Sequence, residues 1–243
     1  MKPEQFVKQL QAALPAGLRS VVLFGSAAAG DHVAGKSDYN VLIVADRLGV
    51  PELTALAGAV GAWEAAGNRP PLCFTPAELA QSARAFPIEW LDLQQWHTVL
   101  LGEDPLAAVR VNRADLGLAI ERELKGKLLH LRQRYLATRG APKAVLRLLE
   151  ASLSTFLVLG RAALRLYEPE VPAQKIEALK RLAAQVPFDP DVFLTVQALK
   201  EGRLKARAVS APALFAAYLD RVERIVAAVD QRVTTPAKGE QPS

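Results

Sequence analysis

Cysteine is nearly absent: Cys73 is the only one in 243 residues. A single thiol excludes an internal disulfide and any multi-cysteine metal site, and it fits a reducing, cytoplasmic compartment. Long uncharged apolar runs are also missing, which argues against a membrane span. The polar start Met1-Lys2-Pro3-Glu4-Gln5 argues against a signal peptide. Aromatic residues make up 6% of the chain and do not alternate with Lys or Arg, so a base-stacking platform for single-stranded nucleic acid has little support. The three histidines, His32, His97 and His130, are too dispersed to suggest a metal cluster.

What is present is an apolar globular composition, 51% hydrophobic and 23% charged. That is more buried surface than a disordered chain carries. The net charge of +5 is unevenly placed: residues 1–105 hold 7 Lys/Arg against 11 Asp/Glu, and residues 106–243 hold 23 against 14. A basic second half can steer phosphates, or it can be the solvated face of Arg-rich helices.

The pattern changes near residue 110. Before it, short apolar runs (Val21–Phe24, Val41–Val44, Leu72–Phe74, Val99–Leu101) alternate with helical segments, as in a small α/β unit. The segment Phe6, Val7, Leu10, Leu14 has helical spacing and reads as a surface helix. Thr75-Pro76-Ala77-Glu78 is a helix start with a capping box, and after Phe86-Pro87 a helix should carry Ile88, Leu91 and Gln95 on one side. Beyond residue 110, Leu116, Ile120, Leu124, Leu128, Leu131 and Tyr135 form one long stripe. Val145 to Leu166 forms another, and further helices are expected near 173–185, 190–200 and 212–232. Such stripes must be buried, within one chain or across a homodimer. The expected division is 1–109 for the α/β part, 110–233 for the bundle and 234–243 for a disordered tail.

One stretch carries chemistry. The apolar run Val21–Phe24 enters a turn, Gly25-Ser26-Ala27-Ala28-Ala29-Gly30, and a second strand follows Ser37-Asp38-Tyr39-Asn40. Asp38 and Asn40, two apart, point to one face of an extended chain, which is how a fold presents metal ligands. Together these residues resemble the signature of the nucleotidyltransferase superfamily, typified by small bacterial and antibiotic-modifying members. A helical part after the α/β part also resembles the kanamycin-nucleotidyltransferase-like branch. The resemblance implies an α/β nucleotidyltransferase-like domain, a short mixed β-sheet with helices, followed by an all-α bundle. It further implies that Gly25, Ser26, Gly30 and Ser37 approach the phosphates of ATP or another NTP, and that Asp38 and the residue at position 40 hold Mg²⁺ as catalytic ligands.

Three departures from that signature stand out. Asn40 occupies the position of the second carboxylate, and an amide ligates a hard cation more weakly than Asp does. The third strand, Pro70-Pro71-Leu72-Cys73-Phe74-Thr75, contains no acid, and Ala29 stands where a basic residue is common. Asp31, Glu78 and His32 are weaker candidates to compensate. The expectation is a nucleotidyltransferase-fold protein with an impaired or inactive site, acting as a nucleotide-binding or interaction module. The alternative is an active Mg²⁺-dependent transferase moving a nucleotide from an NTP to a small-molecule or protein hydroxyl.

Overall fold

Val21 and Val22 face opposite sides of one strand, and that alternation organises the first half of the chain. In the computed structural model, which describes residues 1–28 and 38–234, helix α1 (Pro3–Ala13) leads into β1 (Leu18–Phe24). Strand β2 (Asn40–Ala45) pairs antiparallel with β1, setting Asn40 opposite Phe24 and Ile43 opposite Val21. Helix α2 (Val50–Ala65) then crosses over to β3 (Leu72–Phe74), which pairs parallel to β2 with Leu42 beside Leu72. Helices α3 (Pro76–Ser82) and α4 (Pro87–Gln95) precede β4 (His97–Leu101), which lies antiparallel on the other side of β1. The strand order is β3-β2-β1-β4, a mixed sheet.

Both faces of this sheet are covered, which is why its inner strands are nearly continuous in apolar residues. Val21, Val41 and Ile43 pack with Phe6 and Leu10 of α1 and with Leu56 and Trp63 of α2. On the opposite face, Val22, Leu42 and Val44 pack with Leu79, Trp90, Leu93, Leu106 and Val109. Helix α1 is therefore more than a surface element, since Phe6 and Leu10 are fully buried. Of Ile88, Leu91 and Gln95, which spacing sets on one side of helix α4, only Ile88 is buried. Pro87, Ile88, Trp90 and Leu93 are its buried residues, while Leu91 and Gln95 are only half-buried. Trp90 wins the inward position because its ring meets Phe74 edge-on, with centroids 5.4 Å apart.

The chain divides at Asn112 and Arg113 into two units. The second is a helical bundle of α5 (Arg113–Ala137), α6 (Pro142–Leu164), α7 (Lys175–Gln185), α8 (Asp191–Lys200) and α9 (Ala211–Thr234). Leu116, Ile120, Leu124, Leu128 and Leu131 of α5 are buried as their spacing required. Tyr135, half-buried, continues the stripe by stacking on Phe215 at 3.9 Å. Helix α6 is the central element and packs against each of the other four. In α9, Tyr218 is fully buried beside Phe156 and Phe193, and its hydroxyl meets Ser152 Oγ at 3.3 Å. Burial pushes that phenol well above its ordinary pKa. Thr234, expected at the start of the tail, instead closes α9, where its hydroxyl donates to the Asp230 carbonyl at 2.8 Å. Residues 235–243 lie outside the described residues.

Candidate functional site

Strand β1 ends by turning sharply. Gly25 adopts φ +79°, a left-handed conformation that favours glycine, and opens a short 3₁₀ turn through Ala27. A Cβ at Gly25 would lie 3.1 Å from Asn40 Nδ2, so the missing side chain leaves room for the Asn40 amide to face the turn. Ser26 lies in the same 3₁₀ turn. Gly30, Asp31, His32 and Ser37 lie outside the described residues, as does Ala29.

Asp38 precedes β2 by two residues, and its partner comes from a distant part of the chain. The Arg69 Nε donates to Asp38 Oδ2 at 2.6 Å. The Arg69 side chain is largely exposed, at 73%, against 32% for that of Asp38. This approach follows from the parallel crossover. Because β3 runs in the same direction as β2, the segment leading into β3 returns to the end of the sheet where β2 begins.

Arg69 is held there by its backbone. The fully buried Trp63 donates its indole Nε1–H to the Arg69 carbonyl at 2.9 Å and stacks on Phe6, with centroids 4.3 Å apart. Asn68 makes two further ties, donating from Nδ2 to the Trp63 carbonyl at 3.3 Å and accepting from the Tyr39 N–H at 3.1 Å. Helix α2 and the start of β2 are thereby fastened to the Asn68-Arg69 segment. Arg69 is not among the site residues that the sequence suggests. No local motif marks it; only the β2–β3 pairing brings it to Asp38.

The other acids are directed elsewhere. Asp46, at the far end of β2, is ion-paired with Arg19. Glu78 also sits beyond the far end of the sheet, following Phe74, which pairs with Val44. Its Oε2 accepts from the Thr75 N–H at 2.8 Å and from the Thr75 hydroxyl at 2.9 Å, completing the capping box of α3. These bonds, the backbone one first, hold the Glu78 carboxyl below its ordinary pKa. Its contribution to stability is therefore present above the unfolded pKa and fades as pH falls through the lower folded value. Glu78→Gln should flatten the acid limb of a melting-temperature profile. An unchanged acid slope would show that the cap does not titrate.

His97 begins β4 opposite Phe24, so Asn40, Phe24 and His97 form a row across three strands, with Asn40 and His97 about 10 Å apart. His97 Nε2 lies 3.3 Å from Asp104 Oδ2 and its Nδ1 lies 3.2 Å from the Gln94 carbonyl. Both ring nitrogens thus face acceptors. Cys73 is half-buried, and burial raises its thiol pKa, which opposes a nucleophilic role.

The described residues at this end of the sheet do not by themselves fit a magnesium site. Mg²⁺ takes hard oxygen ligands, usually one or two carboxylates with waters and phosphate oxygens. Asp38 is already engaged by a guanidinium, and Asn40 is neutral. Strand β3, Leu72–Phe74, carries no acid to add to them. Among the described residues, no group of three or more His, Cys, Asp or Glu side chains is arranged to hold a metal ion, and no helix is long and apolar enough to cross a membrane.

No protein-family profile and no curated protein sequence matches the chain. Among solved structures, it is similar to that of spectinomycin adenyltransferase AAD(9) from Enterococcus faecialis, determined with ATP and spectinomycin. The two share 13% identity and a TM-score of 0.50 over 95% of this chain and 98% of that one. At that identity the likeness is one of fold alone.

Proposed function

We propose that this protein is a nucleotidyltransferase-fold module that binds a nucleoside triphosphate at the Gly25–Asn40 end of its sheet and does not transfer the nucleotide. The observation that carries the reading is the ion pair between Asp38 and Arg69. In-line nucleotidyl transfer relies on metal ions held by carboxylates, which neutralise the phosphates and orient the attack. Here the carboxylate at the first ligand position faces a guanidinium, and the second position is an amide. Losing such electrostatic stabilisation costs orders of magnitude in rate. The glycine turn and the strand beside it remain as a cradle that a polyphosphate can approach through backbone N–H groups.

A transfer assay tests this. With ATP, Mg²⁺ or Mn²⁺ and a panel of aminocyclitol and protein acceptors, the expected result is no pyrophosphate release above a blank, together with a melting temperature raised by ATP. Metal-dependent pyrophosphate release that disappears in Asp38→Ala would overturn the inactive reading and establish the alternative, active Mg²⁺-dependent transfer to a hydroxyl.

A further inference from the structure

We infer that Arg69 stands in for the divalent cation, so that the site takes nucleoside polyphosphates without any metal. This rests on the nucleotide-binding reading above and specifies how that site recognises its ligand.

The charges at the site agree with such a replacement. Two carboxylates balance one divalent ion; one carboxylate beside an amide balances one guanidinium. Asn40 and Arg69 are therefore matched in charge, and the site's net charge is that of a loaded magnesium site. Geometry supports the same assignment. Arg69 donates its Nε–H to Asp38, which orients the planar guanidinium, and among the described residues the Nη fork is left available. That fork suits phosphate oxygens bidentately, and unlike a hydrated ion it needs no further ligands from the protein. The Asn40 amide nitrogen, facing the Gly25 turn, adds a neutral donor where a second carboxylate would have repelled a phosphate. The Trp63 and Asn68 hydrogen bonds hold the backbone from which the guanidinium extends. Asp38 is then a positioning residue for the cation, and Arg69 touches the ligand.

Calorimetric titration of the full chain with ATP, in EDTA and in excess Mg²⁺, tests the inference. Wild type should bind ATP equally well in both buffers, and tripolyphosphate should bind where adenosine does not. Arg69→Ala should weaken binding in EDTA by about 10- to 100-fold, the scale of one or two charge-assisted hydrogen bonds. Its circular dichroism and melting temperature should be unchanged, because the side chain is exposed. Arg69→Lys should retain part of the affinity. The double variant Asn40→Asp, Arg69→Ala, with two carboxylates and no guanidinium, should bind ATP only when Mg²⁺ is present.

ATP binding that requires Mg²⁺ in wild type would overturn the role of Arg69 and leave the nucleotide reading intact. So would an Arg69→Ala chain with undiminished affinity in EDTA. Adenosine binding without tripolyphosphate binding would overturn polyphosphate recognition. Absence of ATP binding in both buffers would overturn the nucleotide reading itself.

Discussion

Gly102→Ala is expected to destabilise the protein by about 2–6 kcal/mol, the combined scale of a left-handed alanine and an overpacked backbone contact. Gly102 follows β4 with φ +76°, and a Cβ there would fall 2.0 Å from the Arg19 carbonyl oxygen. The obstacle is backbone, so no rotamer change relieves it. The same corner is fixed from the other side by Ser20, which is nearly fully buried and whose hydroxyl donates to the Leu101 and Glu103 carbonyls at 3.0 and 2.8 Å. Relief therefore requires β4 to separate from β1. Gly67→Ala provides the control, since Gly67 has φ +86° with nothing within 4 Å of the added atom. It should cost only the conformational part, about 1 kcal/mol. Urea midpoints of the two variants isolate the collision, and equal losses would show that the corner yields without cost.

Trp63→Ala is expected to cost about 3–5 kcal/mol, as for other fully buried aromatic truncations. The indole occupies the centre of the cluster formed by Phe6, Leu10, Val41 and Ile43, and Tyr39 lies over it at 6.1 Å. Trp63→Phe separates two contributions. It keeps an aromatic partner for Phe6 but removes the N–H that Arg69's carbonyl accepts, so the loss should be smaller, of the order of one hydrogen bond or about 0.5–1.5 kcal/mol, plus some repacking. The phenylalanine variant should also lose affinity for ATP in EDTA, because the segment carrying Arg69 is then held by the Asn68 bonds alone. Thermal melts and ATP titration of both variants check this. A phenylalanine variant with unaltered ATP affinity would show that the indole serves the core alone.

Much of the fold was legible in the sequence because it rests on periodicity. The strands Val21–Phe24 and Val41–Val44 announced themselves as apolar runs, and the stripes of α5 and α6 as repeats of three and four. Helix α4 was harder: Trp90 and Leu91 are adjacent and both apolar, and only the position of Phe74 decides which points inward. Thr234 illustrates a boundary that polar composition placed one residue early. At the site, Gly25 and Asn40 were readable as local motif, while the Asp38–Arg69 pair was not. Its two members are 31 residues apart, and nothing in either neighbourhood announces a parallel crossover whose return segment ends beside the first strand's start.

The attachment of Arg69 also bears on how such a site can change over generations. Its backbone is pinned by a buried indole, while its side chain extends into solvent and supports no part of the core. A position of that kind behaves as a socket: an amide or a lysine should replace the arginine with little structural penalty, each presenting a different group beside Asp38. The chemistry beside Asp38 is thereby uncoupled from the robustness of the fold.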